Sequence, residues 1–574
     1  MSDYKDVMFN FSEQQLRDYL GTEVINTLVE WMPSRKSLLT KARLISYIDK
    51  IHGLEIFKKD NFRKDLLLAG TEKEIENISI QCLSKSERNG ASPRELVEVI
   101  SKKPWGQNKV TVYLIELWNL PIDTLESEKG DDIFKNSLAA GERFYELLDY
   151  QYFIRQQAMN VLSSGNILQR MLIHMPTGTG KTKTSMHIIV DYINFHLHKS
   201  GIVIWVAHTK ELLLQAFSTF EEIWGHLGDG EINAYKFWGS LNSEDDEISD
   251  GIVFCGLQKL MSIAKNNSVM MEKLKLNCRL IVFDEAHKAA ANETKKVIEE
   301  LMQMKIGFPD RHLIGLSATP GRTTEFSYDN DLLVHMFGNR LIRIDANILN
   351  QVNLGRLQAL NTIAETNIIK YFQQRQILSK LTVERLEYEK NYTEEEIKKI
   401  KRELDYIRNS DTDFSVKQLE VLANNKNRNL GILKRLRILN HEQMPTIVFA
   451  CNVLHAKMLA AMLTVDDIPN SLVLGDMNPI KRKAAIDNFK DRTTKVNIII
   501  NYDVLTTGFD STNIRCVFIT RPTKSVVLYS QMIGRGLRGP MMGGNKECLL
   551  IDVKDNIEAF DSEEAFQHFD DYWN

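Results

Sequence analysis

The chain has 574 residues, 43% hydrophobic and 26% charged, an ordinary globular composition at a length that exceeds one core. Its net charge of −4 excludes a protein that grips nucleic acid by overall basicity, so any polyanion must sit in a local cleft. The six cysteines (Cys82, Cys255, Cys278, Cys451, Cys516 and Cys548) are scattered without a C-x-x-C pair, which excludes a zinc ribbon or disulfide framework and fits a reducing compartment.

The N-terminus lacks the apolar run of a signal peptide, and no stretch approaches the roughly 18 apolar residues of a membrane span. A cytoplasmic protein is expected. Residues 1–145 read as a helical N-terminal domain of unknown role. Leu16 and Leu20, followed by Val24, Ile25 and Leu28, recur at helical spacing, and Pro33, Pro93 and Pro104 punctuate the region. No chemical motif appears there. The polar stretch from Glu126 to Asp132 reads as the linker out.

Over residues 146–344 short apolar runs alternate with helical or polar segments: Met171-Leu172-Ile173, Ile202 to Val206, Ile252-Val253-Phe254, Leu280 to Phe283 and Leu313 to Leu316. Continuous apolar strands alternating with helices predict a parallel sheet covered on both faces. Over residues 441–574 the pattern resumes with Ile447-Val448-Phe449, Leu472-Val473-Leu474, Val496 to Ile500, Val517-Phe518-Ile519 and Leu549-Leu550-Ile551. The fold class is therefore α/β, with two tandem parallel-sheet domains. Between them, residues 345–440 are charged and read as a helical insertion. Leu378, Leu381 and Leu386 form one apolar stripe. Thr393 and Glu396 start a capping box, and Ile397, Ile400, Leu404 and Ile407 follow at spacings of three and four. A helical hairpin is expected, either packed on itself as a spacer or contacting nucleic acid or a partner.

Chemistry concentrates at predicted strand ends. His174 to Thr182 (HMPTGTGKT) lies between a predicted strand and a predicted helix, the setting of a phosphate loop. There Thr177, Gly178, Thr179 and Gly180 let backbone N–H groups converge on phosphate oxygens at a helix N-terminus. Lys181 is placed on the β- and γ-phosphates and Thr182 on magnesium. Met175 stands where the strict motif has its first glycine, so taken alone the run also reads as an ordinary glycine turn. Asp284-Glu285-Ala286-His287 follows the next-to-last strand of the first group. An acidic pair there suits Asp284 to bind magnesium through water and Glu285 to polarise an attacking water. Ser317-Ala318-Thr319, after the strand Leu313 to Leu316, offers small hydroxyls suited to sensing nucleotide-linked movement. In the second group, Gln531 to Arg538 (QMIGRGLR) brings Arg535 and Arg538 onto one helix face, as γ-phosphate charge stabilisation from a second domain requires.

These motifs, in this order, resemble the DEAH-type superfamily-two helicases and translocases, in the group with the helicase subunits of restriction enzymes and the excision-repair helicases. The resemblance covers residues 146–574 and not 1–145. It implies two RecA-like domains closing on ATP and Mg²⁺, with Gln531 and His287 in catalysis and coupling alongside Ser317 and Thr319. It also implies a nucleic-acid strand crossing both domains. Ala207 to Leu212 resembles the first strand-contacting motif, Gly256-Leu257-Gln258 the next, and Phe449 to Asn452 the motif opening the second domain. Leu505 to Asp510 resembles the motif linking nucleic acid to nucleotide, with Gly508 and Asp510 on the nucleotide. Gln151 stands where an adenine-reading glutamine is expected, with Gln156 and Gln157 as rivals. The implied strand contacts are Thr209, Lys210, Gln258, Asn452, Thr506 and Thr507. Such contacts to the backbone position a strand without reading its sequence.

His287 in place of the second aspartate of D-E-A-D, and Gln531 in place of the first residue of H-R-I-G-R, tilt the expectation from RNA to DNA. No nuclease constellation stands apart from the motor motifs. A DNA helicase or duplex translocase is thus expected, by family analogy the motor of a bacterial defence or restriction-like system with a partner nuclease docked through residues 1–145. The alternatives are an ATP-dependent nucleic-acid sensor signalling to a partner, and an RNA helicase.

Overall fold

The computed structural model describes residues 3–31, 39–120, 134–141, 146–165, 168–197, 200–239, 248, 250–266, 268–289, 291–303, 311–321, 328–344, 368–388, 413–506, 508–509, 511–523 and 525–553. Glu126 to Asp132, the helical stripe from Thr393 to Ile407, Thr507 and Asp510 lie outside the described residues.

The N-terminal region opens with helices. Several start at capping boxes, in which a Ser or Thr side chain accepts from the third backbone N–H and that residue's side chain returns the bond: Ser12 with Gln15, Thr71 with Glu74 and Ser92 with Glu95. Gly21, at φ +93°, ends the helix Glu13–Leu20 before Thr22–Trp31 begins. Phe57 is the centre of their core, edge-on to Tyr4 and Phe62 and stacked on Trp105 at 5.5 Å. One expectation for this region is corrected. Lys135–Leu138, within the stretch read as helical, is a strand, β1.

Thirteen further strands follow: β2 Leu168–His174, β3 Gly201–Ala207, β4 Ile232–Phe237, β5 Asp250–Gly256, β6 Cys278–Asp284, β7 Arg311–Ser317, β8 Leu341–Arg343, β9 Lys380–Leu386, β10 Thr446–Phe449, β11 Asn470–Val473, β12 Ile498–Asn501, β13 Cys516–Ile519 and β14 Glu547–Val553. They form an eight-stranded sheet of order β1-β4-β5-β3-β6-β7-β2-β8 and a six-stranded sheet of order β11-β12-β10-β13-β14-β9. Every described pairing between these strands is parallel except β1 with β4. Strand β3 is buried at all seven positions, which is why it reads as an unbroken apolar run.

Strand β9 corrects the reading of Leu378, Leu381 and Leu386 as a helical stripe. The segment pairs parallel with β14 over its whole length, from Lys380 with Glu547 to Leu386 with Val553. Thr382 and Val383 favour the extended state, and the open edge of β14 supplies the hydrogen bonds. Arg435 of the helix Lys426–His441 then clamps Glu384 with two bonds, of 2.8 and 2.7 Å.

The apolar packing ignores chain order. One core joins a face of the first sheet to a face of the second through Ile369, Phe372, Ile377 and Leu378. The opposite face of the second sheet shares a continuous core with the N-terminal helices: Ile45, Tyr47 and Ile48 belong to the same cluster as Leu459, Met462 and Leu463. Arg43 donates to the Val465 carbonyl at 3.2 Å across that seam. Among the described residues, no helix is long and apolar enough to cross a membrane.

Candidate functional site

Strand order brings the separated motifs together. In the first sheet β6, β7 and β2 are neighbours, with His174 opposite Ser317 and Asp284 opposite Leu316. The residues after these three parallel strands therefore emerge at one edge. Gly178 and Gly180 adopt φ +87° and +83°, and the helix Lys181–Tyr192 starts at once. A Cβ on Gly180 would lie 2.3 Å from Gln151 Nε2, so only glycine fits. Gln151 is buried and donates to the Thr179 carbonyl at 3.0 Å, beside Tyr150, which donates there at 2.7 Å. Gln156 and Gln157, on the same helix, are exposed.

Lys181 Nζ lies 3.2 Å from Asp284 Oδ1 and 3.2 Å from Glu285 Oε1. Burial opposes its charge, but the two carboxylates outweigh burial and raise it above the ordinary lysine range. Burial likewise works to raise Glu285, yet the facing Lys181 ammonium prevails and brings it to about 2, an ionised carboxylate. Asp284, more deeply enclosed, is raised by that burial. Glu285 has φ +54°, a left-handed conformation uncommon outside glycine that turns its side chain back to the cleft. His287 Nδ1 lies 3.5 Å from Glu285 Oε2, but burial holds the imidazole at about 4, so it is neutral near pH 7. Ser317 and Thr319 are buried and tied to each other, and His174 Nε2 contacts the Ala318 carbonyl at 3.1 Å.

The second sheet supplies the other wall. The helix Val526–Ile533 ends before the arginines, so Arg535 and Arg538 do not share a helix face as expected. Arg535 sits on the turn that follows, where Gly534 and Gly536 release the helix, and Arg538 lies beyond it in an antiparallel bridge with Leu378. Both nevertheless line a cleft of about 270 Å³ together with Lys181, Thr182, Glu285 and Gln531. Burial lowers each guanidinium to about 10, with Glu285 working to raise Arg535 again. Arg535 also donates to the Phe509 carbonyl at 2.5 Å. Gln531 Nε2 is buried without a hydrogen-bond partner among the described residues. The glycine cradle, two buried carboxylates, a lysine, a threonine hydroxyl and two arginines facing them fit a nucleoside triphosphate with a hard divalent cation.

The proposed strand contacts are less gathered. Thr209 and Asn452 cap the helices Lys210–Leu227 and Val453–Val465, accepting from Leu212 N at 3.3 Å and His455 N at 2.7 Å. Thr506 is buried with its hydroxyl on the Asp503 carbonyl, whereas Gln258 is exposed. Sequence reading missed the contacts that join the two walls. Arg482 pairs with Glu211 at 2.7 Å, and a Cβ on Gly508 would lie 3.2 Å from Glu211 Cβ. Leu378 approaches Gly178 from the segment between the sheets, and Met542 approaches Gly180. No local pattern marks these contacts, since each partner is distant in sequence.

Residues 144–322 match the family described as type III restriction enzyme, res subunit, and residues 428–539 match the helicase conserved C-terminal domain. The chain is 26% identical over 413 residues to "Putative ATP-dependent helicase IRC3" of Saccharomyces cerevisiae, an alignment covering 71% of this chain and 51% of that one. It is 25% identical over 559 residues to "Putative helicase 22" of a Sulfolobus islandicus filamentous virus, covering 95% and 85%. The type I restriction enzyme EcoKI endonuclease subunit of Escherichia coli is 23% identical over 458 residues, covering 73% and 36%. This chain thus spans about half the length of the yeast relative. The viral alignment reaches into the N-terminal helices, which neither family match includes.

Proposed function

We propose that this chain, a superfamily-two helicase related to restriction-enzyme subunits, is an ATP hydrolase that moves on DNA, the motor of a restriction-like or defence system whose nuclease is a separate partner. The observation that carries this reading is the cleft in which Lys181, Asp284 and Glu285 of one sheet face Arg535 and Arg538 of the other.

In this arrangement the Lys181 ammonium neutralises two buried carboxylates. An incoming phosphate chain competes for that ammonium and draws it towards the loop that ends at Gly180. Asp284, through water, and the Thr182 hydroxyl would then hold Mg²⁺, which would supply positive charge against the phosphates. Glu285, already ionised, accepts a hydrogen bond from the attacking water and orients it. Arg535 and Arg538 place guanidinium charge where γ-phosphate charge develops, the role of an arginine finger. Since the two groups stand on different sheets, hydrolysis requires closure, and opening afterwards is the motion that steps along a strand.

DNA is favoured over RNA by His287 and Gln531 at positions where RNA helicases of the D-E-A-D type differ. One ATPase titration with single-stranded DNA, duplex DNA and RNA tests the assignment. Stimulation by DNA is expected, and stimulation by RNA alone would overturn it. A second reading, a nucleic-acid sensor that signals to a partner on ATP-driven closure, is favoured by the seating of the N-terminal helices on the second sheet.

A further inference from the structure

We propose that the cavity between the N-terminal helices and the second sheet binds a phosphorylated small molecule of nucleotide size. It encloses about 510 Å³, within the usual range for small-ligand sites, and shares no lining residue with the cleft that holds Lys181. Four lysines line it, Lys50 and Lys59 from the N-terminal helices and Lys457 and Lys481 from the second domain. None forms an ion pair with a described carboxylate. The acids nearby are largely engaged: Asp49 accepts from Tyr4 at 2.5 Å and from Lys5 at 2.8 Å, and Glu55 pairs with Lys58 at 2.6 Å. Asp476, exposed at the rim, is the remaining lining carboxylate. The wall therefore carries excess positive charge.

Three further features point to a ligand. The helix Pro479–Lys490 starts in this wall, its N-cap Asn478 and first-turn Lys481 both lining the cavity, so its free N–H groups add to the attraction for an anion. Gly53, at φ +53°, leaves room for the Lys481 ammonium, which lies 2.9 Å from where a Cβ would stand. Asn470, another lining residue, is 6% exposed, and its Oδ1 has no hydrogen-bond partner among the described residues, while its amide nitrogen donates to the Ile468 carbonyl at 3.0 Å. The Lys50 ammonium donates to the Asn470 carbonyl, so an orphaned acceptor beside Lys59, Lys457 and Lys481, ammonium groups without a carboxylate partner, suits a molecule with phosphate at one end and a hydroxyl or amine donor at the other. Burial supports the same conclusion, pushing Lys50 down to about 8 and lowering Lys481, a cost that a bound anion would relieve.

The site joins two parts of the chain that are distant in sequence, so occupancy would stiffen their seam. Its test does not depend on the ATP assignment. Calorimetry on the full chain, with a non-hydrolysable ATP analogue and Mg²⁺ saturating the other cleft, is expected to show one further mole of inorganic pyrophosphate bound. The Lys457→Gln/Lys481→Gln double variant should weaken that binding on the order of tenfold, with analogue stoichiometry and Tm unchanged. If this variant does not fold, exposed Lys59→Gln is read alone, with an expected loss of about threefold. No pyrophosphate binding beyond the saturated cleft, or undiminished binding by the variants, overturns the proposal. So does a 20-nucleotide DNA strand that occupies this wall where pyrophosphate does not, since the site would then belong to nucleic acid. If the ATP analogue itself fails to bind, the ATP reading falls and the pyrophosphate result still decides this one.

Discussion

Gly534 of the second domain stands so close to Thr177 of the glycine loop that a Cβ built on it would lie 2.3 Å from Thr177 Cγ2. Gly534 has φ −53°, which alanine adopts freely, so only this approach requires glycine. Gly534→Ala should therefore leave each domain folded and hold the cleft ajar. A misplacement of the arginines on that scale should lower kcat about 10²-fold. Steady-state ATPase rates with a thermal unfolding curve check this. An unchanged kcat would mean that hydrolysis does not need the closed arrangement.

Lys181 neutralises Asp284 and Glu285 inside the protein. Lys181→Ala leaves both carboxylates buried and unpaired, and should cost about 3–5 kcal/mol of stability as well as ATP turnover. Glu285→Gln removes one of the charges while keeping the shape, so turnover should be lost with little loss of stability. Urea denaturation beside ATPase assays separates the two effects. Equal stability losses in both variants would contradict the described ion-pair geometry.

Glu211 and Arg482 join the two domains by an ion pair outside the chemical centre. Glu211→Gln should raise the ATP concentration for half-maximal rate on the order of fivefold, because it removes an interaction made when the domains are together. The exchanged pair Glu211→Arg with Arg482→Glu should recover part of the loss. Arg482 also bonds the Gly475 carbonyl at 2.8 Å, so the recovery will be incomplete. No recovery at all would assign the effect to Glu211 alone.

Buried and half-buried histidines make the fold acid-sensitive. Burial holds His52, His174, His187, His208 and His287 at about 4, and His455 well below its ordinary value. Their folded pKa values are depressed, so between about pH 6.5 and pH 4 the unfolded chain binds more protons than the folded one. Stability is therefore complete above about pH 6.5 and falls as pH drops towards 4. Urea midpoints at pH 7.5, 6.5, 5.5 and 4.5 should show this decline. A flat profile would mean that these imidazoles reach solvent.

The N-terminal helices and the second sheet share one core. Removing residues 1–145 would expose the apolar face around Leu459 and Met462 and would also strip β1 from the edge of the first sheet. The truncated chain should aggregate or melt at lower temperature than the full chain, as light scattering and calorimetry would show. A soluble truncation with unchanged Tm would mean that the seam contributes little.

The candidate cleft was legible in the sequence because its residues are written contiguously at strand ends. His174 to Thr182, Asp284 to His287, Ser317 to Thr319 and Gln531 to Arg538 are such runs, and buried parallel strands announce themselves as unbroken apolar stretches. The helix expected under Arg535 and Arg538 failed for a local reason, since the glycines beside Arg535 allow a turn. Other outcomes rested on contacts between distant residues. Lys380–Leu386 became a strand because β14 offered an unpaired edge, and Lys135–Leu138 because β4 did. Residue type and order, read through local chemistry, determined that two parallel sheets would form with these residues at their strand ends. Tertiary packing decided that Gly534 meets Thr177, that Glu211 meets Arg482 and that the N-terminal helices ride on the second sheet, because burial of apolar area rewards any complementary face and carries no mark of chain order.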